Sequence, residues 1–179
     1  MITPLSPPTY SSTRGDLVWV ISVMTSHAVL AAALVNTFST MLNCEARRGP
    51  ITLATHGMRT YPISGVIGLS GRAVGTVVIN LSEEVALKAA STMLMMNLTE
   101  VNGDVIDAVG ELANMVAGQA KAELEEYELS VSLPSVITGA GHEVRFPSDV
   151  KPISVPFETD FGPMLLDVGL EPVQELSRV

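Results

Sequence analysis

Between residues 27 and 43 the apolar side chains Val29, Leu30, Ala33, Leu34, Phe38, Met41 and Leu42 recur at steps of three and four, which puts them on one face of a helix. Gly49-Pro50 marks the turn beyond it. The pattern then changes. ITLATH (51–56), SGVIGLSG (64–71) and AVGTVVINL (73–81) read as strands, and the last two flank Gly71-Arg72 as an antiparallel hairpin. Ser82 stands where it can cap a helix, with Glu83 and Glu84 in the first turn, where the helix dipole favours anions. This helix runs to about residue 95. After the polar break NLTEVNG, a longer helix is predicted over 104–126. Strand-like runs return in LSVSLPSVITG (129–139), HEVRF (142–146), PISVPFET (152–159) and PMLLDVGL (163–170). The order predicts an α+β fold with a largely antiparallel sheet. It lacks the repeated βαβ unit of a doubly wound sheet.

Residues 1–15, MITPLSPPTYSSTRG, have the Pro, Ser and Thr content of a disordered tail. The LVWVISV run behind them is compatible with a strand or with a packed apolar arm. A natural start at Met24 would make everything upstream extraneous. The expected organisation is an extension at 1–23, one domain at 24–171 and a tail at 172–179.

Composition narrows the function classes. With 179 residues, 47% hydrophobic but only 4% aromatic, the chain can build one domain around an aliphatic core, and intrinsic disorder is excluded for most of it. A net charge of −9 repels phosphate backbones and argues against nucleic-acid binding. Cys44 is the single cysteine and cannot form an internal disulfide, which fits a cytoplasmic location. The longest apolar run, 17–24, falls short of the roughly 18 residues a membrane span needs, and it lacks the charged start and cleavage site of a signal peptide. No membrane association is expected.

The chemistry concentrates on the 104–126 helix. Asp104, Asp107, Glu111, Asn114, Gly118, Lys121 and Glu125 follow at alternating steps of three and four, so they share one stripe. Val105, Val109, Leu112, Val116, Ala120 and Leu124 supply the opposing apolar face. Asn114 is a mediocre helix former, and Gly118 costs about 1 kcal/mol relative to Ala in a helix interior. Glu or Lys would serve a merely solvated ridge better. A Gly beside an Asn makes sense where another protein's backbone comes close. Glu111 and Asn114, at i and i+3, project together. An amide is no general base, but it can hold a water through its donor and acceptor at once, while Glu111 can grip a cation on a partner. E-x-x-N alone is a common string, and an ordinary helix with a slightly unfavourable surface satisfies it.

Other candidates carry less. Gly65, Gly68, Gly71 and Gly75 follow neither dinucleotide nor P-loop spacing and suit turns and close packing. His27, His56 and His142 are isolated, with no neighbouring ligand spacing, so no metal site is expected. Cys44 suits a small buried residue, and Met93, Met95 and Met96 suit core or interface filler. The AELEEYE run reads as a solvated helix end.

The segment DVIDAVGELANMVAGQAK resembles the signature helix of the CheX proteins, in the CheC/CheX/FliY group of chemotaxis phosphatases. The family motif has Asp or Ser four before Glu and Asn three after it, here Asp107, Glu111 and Asn114, with Gly118 following. Pro134 is a looser match to the motif's downstream proline. The likeness extends to NTFSTMLN, to SGVIGLSGRAVGTVVINLSEEVALKAASTML, to SLPSVITGAGHEV and to VPFETDFGPM, about residues 24–170 in all.

The resemblance implies a three-helix layer on the sheet and a phosphatase for the aspartyl phosphate of a CheY-type response regulator. By the same resemblance Asn114 orients the attacking water and Glu111 pairs with the regulator's active-site lysine. Asp107, Gly118 and Pro134 contact the partner. The Mg²⁺ belongs to the regulator, the chain has no cofactor of its own, and it forms a homodimer. CheC and FliY carry two motifs. Here Asn36 is preceded by Ala33 where a Glu is needed, which favours the single-site CheX branch. The 1–23 extension and Met95-Met96-Asn97 depart from the family pattern. The rival reading is a non-catalytic module that binds a response regulator, or a scaffold, as in flagellar switch proteins of the FliM type. A small-molecule-binding domain has no specific residue in its support.

Overall fold

The computed structural model describes residues 14–53, 61–146, 150 and 152–173, with backbone alone at 14–25 and 172. Helix α1 (Arg14–Leu42) leads into strands β1 (Ala46–Arg48), β2 (Thr52–Leu53), β3 (Ile63–Ser70) and β4 (Ala73–Leu81). Helices α2 (Glu83–Leu94) and α3 (Gly103–Glu123) and a 3₁₀ turn (Glu125–Tyr127) follow. Strands β5 (Ser130–Val131), β6 (Ser135–Thr138), β7 (Ile153–Thr159) and β8 (Gly162–Pro172) complete the chain. All described strands join one antiparallel sheet in the order β1-β7-β8-β4-β3-β5, with β2 also on β7 and β6 also on β3. This is the α+β arrangement the order of elements predicts.

The two-residue period of the central strands divides the sheet into a core face and a back face. Register aligns Gly65 with Ile79, Ile67 with Val77, Ile79 with Leu166 and Leu166 with Val155, all turned toward the helices. They bury themselves against Leu30, Leu34 and Phe38 of α1, Val85 and Ala89 of α2, and Val109, Leu112 and Val116 of α3. The predicted hairpin is present, and Gly71 turns it with φ +145°, where an added Cβ would lie 2.6 Å from the Glu128 carbonyl oxygen. Gly75 lets β4 and β8 come together, since a Cβ there would lie 2.0 Å from the Gly169 carbonyl oxygen.

The back face is polar at its centre. Ser64 donates to Asn80 Oδ1 (2.6 Å), Asn80 Nδ2 donates to Asp167 Oδ2 (2.7 Å), and the Ser154 hydroxyl donates to Asp167. His142 Nε2 meets Ser64 Oγ at 2.7 Å, and His142 Nδ1 donates to the Gly139 carbonyl at 2.7 Å.

Several expectations are corrected. The LVWVISV run is not a strand but the start of a helix: α1 begins at Arg14, and no Gly or Pro stands between Gly15 and Gly49 to interrupt it. Residues 1–13 and 174–179, and 54–56 of the expected 51–56 strand, lie outside the described residues. HEVRF is not a strand. His142, Val144 and Phe146 alternate with exposed Glu143 and Arg145, as the pattern suggests, but the segment lies across the back face, where no strand edge is offered. The long helix ends at Glu123 rather than 126, because Leu124 and Tyr127 turn inward to be buried and Arg72 N donates to the Tyr127 carbonyl. LSVSLPSVITG splits into β5 and β6 around Pro134, which has no N–H to continue a ladder.

Candidate functional site

Helix α3 starts on Asn102, whose Oδ1 accepts from Val105 N at 3.1 Å. Its apolar face is buried as the spacing predicts: Val105, Val109, Leu112, Val116 and Ala120 are all inside. Asp104, Asp107, Glu111, Gly118 and Lys121 are exposed, and Asn114 is half-buried among them. The polar stripe is therefore the outward ridge of a helix clamped from below. Thr37 of α1 donates to Gln119 Oε1 at 3.2 Å and adds a lateral tie.

A Cβ built on Gly118 meets nothing within 4 Å, so no internal contact requires glycine there. The helix carries its conformational cost with no gain in packing on its own chain. Gly110 is different: a Cβ there would stand 3.6 Å from Pro134 Cγ and 3.5 Å from Val136 Cγ2. Gly110 is not among the residues singled out from sequence, although its place beside Glu111 in a helix was a signal. Pro134, from the β5–β6 connection, faces the helix at the residue before Glu111, at a distance an added Cβ would touch in ordinary contact. Asp107, Glu111, Asn114 and Gly118 thus share a ridge with Pro134 alongside it.

Gly65 forms the floor. A Cβ on it would lie 3.0 Å from Ala113 Cβ and 3.4 Å from the Val109 carbonyl oxygen, so β3 and α3 are in near-backbone contact under Asn114. Among the described residues no group of three or more His, Cys, Asp or Glu could hold a metal ion, and no helix is long and apolar enough to cross a membrane. Cys44 is buried, and so is His27, with Nε2 3.2 Å from the Val168 carbonyl oxygen. Met93 packs against the core, whereas Met95 and Met96 are exposed. What the ridge offers chemically is the Asp107 and Glu111 carboxylates, the Asn114 amide and clearance at Gly118, carried on a helix held firmly by its other face.

The fold is an α+β domain that presents one polar ridge of a half-buried helix to the outside. Residues 63–158 match the family model described as chemotaxis phosphatase CheX. A relative from Thermotoga maritima, named CheY-P phosphatase CheX, is 30% identical over 137 residues, covering 74% of this chain and 88% of its own. The crystal structure of chemotaxis protein CheX from Vibrio vulnificus superposes with a TM-score of 0.77 at 29% identity, covering 82% of this chain and 99% of that one. A CheC-like superfamily protein from Shewanella gives a TM-score of 0.76 at 30% identity, covering 82% and 97%. The chain belongs to the CheX family of chemotaxis phosphatases.

Proposed function

We propose that this protein hydrolyses the aspartyl phosphate of a CheY-type response regulator by inserting the ridge of α3 into the regulator's active site. The observation that carries the reading is the outward stripe of Asp107, Glu111, Asn114 and Gly118 in a CheX-family chain whose curated relative is named for CheY-P. Asn114 orients the attacking water in line with the phosphoryl group. Asn114 is half-buried, which reduces the side-chain freedom left to lose when it binds a water. Glu111, exposed one turn earlier, pairs with the regulator's lysine. Asp107, Gly118 and Pro134 line the contact.

The chain supplies no nucleophile in this reading. The Mg²⁺ that neutralises the transferring phosphoryl group is the regulator's, and phosphoryl transfer is dominated by positioning and electrostatics. A hundredfold acceleration requires about 2.7 kcal/mol. That is well within the roughly 7–11 kcal/mol that orientation can contribute. We further place the protein in the cytoplasm, as a homodimer.

The test is the decay of a phosphorylated CheY receiver domain with Mg²⁺, alone and with wild type, Asn114→Ala or Glu111→Ala. Acceleration by wild type that both variants lose, with unchanged melting curves, supports the assignment. Unchanged decay despite measurable binding would leave a docking module with the same fold.

A further inference from the structure

Leu133 is 89% exposed, among the most exposed large apolar side chains described. Isolated exposed apolar residues are ordinary on protein surfaces. Leu133 differs in how firmly its backbone is held. Ser132 N donates to the Gly68 carbonyl (2.9 Å), and Gly68 N donates back to Ser132 Oγ (2.9 Å), which rivets the preceding residue to β3. The Ser132 hydroxyl in turn donates to the Leu133 carbonyl at 2.8 Å. On the other side Pro134 fixes its own φ and restricts Leu133 to extended conformations. The proline ring faces buried Gly110, at 3.6 Å from where a Cβ would stand there, and Gly110 is next in the chain to Glu111. A side chain with almost no contacts of its own is thus presented from a braced turn at the flank of the α3 ridge.

We propose that Leu133 is a docking anchor that sets affinity for the phosphorylated receiver domain by entering an apolar depression on its surface. This rests on the reading of α3 as the regulator-binding helix. The occupant is the receiver domain because Leu133 is continuous with that ridge through Pro134 and Gly110. A partner seated over Glu111 and Asn114 reaches the adjoining turn as well. The bracing matters energetically, because a pre-ordered apolar group loses little conformational freedom on binding. Buried apolar anchors next to polar contacts have the anatomy of interface hot spots. Leu133 takes no part in water positioning, so it acts on binding and leaves the chemical step alone.

The experiment is steady-state dephosphorylation of a CheY receiver domain kept phosphorylated with a small-molecule phosphodonor and Mg²⁺, using full-length wild type, Leu133→Ala, Leu133→Asp, Leu133→Met and Asn114→Ala. The expected result is a KM raised about five- to tenfold by Leu133→Ala, raised further by Leu133→Asp and near wild type in Leu133→Met, with kcat and melting temperature unchanged. Asn114→Ala lowers kcat instead. A KM unaltered in Leu133→Asp while Asn114→Ala is inactive overturns the anchor and leaves the phosphatase reading standing. A fall in kcat with constant KM in the Leu133 variants also overturns it. Full activity of Asn114→Ala removes the α3 reading itself, and the anchor with it.

Discussion

Gly65 of β3 and Ala113 of α3 face each other so closely that a methyl group on the glycine would come within 3.0 Å of the alanine's Cβ. Asn114 is the next residue along the helix, so the height of its amide above the sheet is set by the smallness of Gly65. Substitution by Val forces α3 outward. Overpacking of this kind costs about 1–3 kcal/mol. Chemical denaturation of Gly65→Val should show that loss, and kcat for receiver dephosphorylation should fall further than the loss of folded protein explains. Wild-type kcat in the folded fraction would disconnect the seat from the chemistry.

Gly118→Ala separates stability from function in the opposite direction. Nothing lies within reach of the new methyl, so the helix gains about 0.5–1 kcal/mol. The melting temperature should rise while the KM for the phosphorylated receiver increases, because the methyl occupies the space the partner's backbone needs. A stabilised variant with unchanged KM would mean that the glycine is not a clearance site.

His142 fastens the 139–146 segment to the back of the sheet through the wholly buried Ser64 hydroxyl. Its removal in His142→Ala leaves Ser64 with Asn80 alone and should cost about 1 kcal/mol. Amide hydrogen exchange across 139–146 should quicken while the β3–β4 hairpin stays protected. Equal exchange in both proteins would show that the imidazole does not hold the segment.

Burial raises the carboxyl pKa of Asp167 above the ordinary aspartate value of 3.8, against the opposing pull of hydrogen bonds from Ser154 and Asn80. An acid whose folded pKa is raised binds its proton more tightly in the folded state. Its contribution to stability is complete below the ordinary value and is lost as pH climbs through the raised one. The stability of wild type relative to Asp167→Asn should therefore decline as pH is increased from about 3 to 7. Parallel stability–pH curves for the two proteins would contradict this.

The strongest local signals in the sequence correspond to the most regular parts of the structure. Gly71-Arg72 between two apolar runs gave the hairpin, Ser82 gave the cap of α2, and the alternating three-four steps from Asp104 to Lys121 gave the exposed ridge of α3. What local pattern does not report is which surface is available for pairing. His142, Val144 and Phe146 alternate like a strand, but His142 and Phe146 meet the sheet on its face. The charged triplet Ala46-Arg47-Arg48 has little strand character, yet it pairs with Thr159, Glu158 and Phe157 at the edge. At the ridge, Asp107, Glu111, Asn114 and Gly118 were legible because one helix supplies them all. Gly65 under Ala113, and Gly110 against Pro134, depend on contacts between segments distant in sequence, and no spacing rule contains them.

Ser64 and Gly65 are neighbours that point to opposite sides of β3: one is held by His142 on the back, the other carries α3 on the front. A single peptide unit separates the fastening of the 139–146 segment from the floor beneath Asn114. Strain applied to the rear of the sheet has no compressible layer to cross before it reaches the helix. The back of the sheet is thus mechanically in series with the helix that carries Asn114.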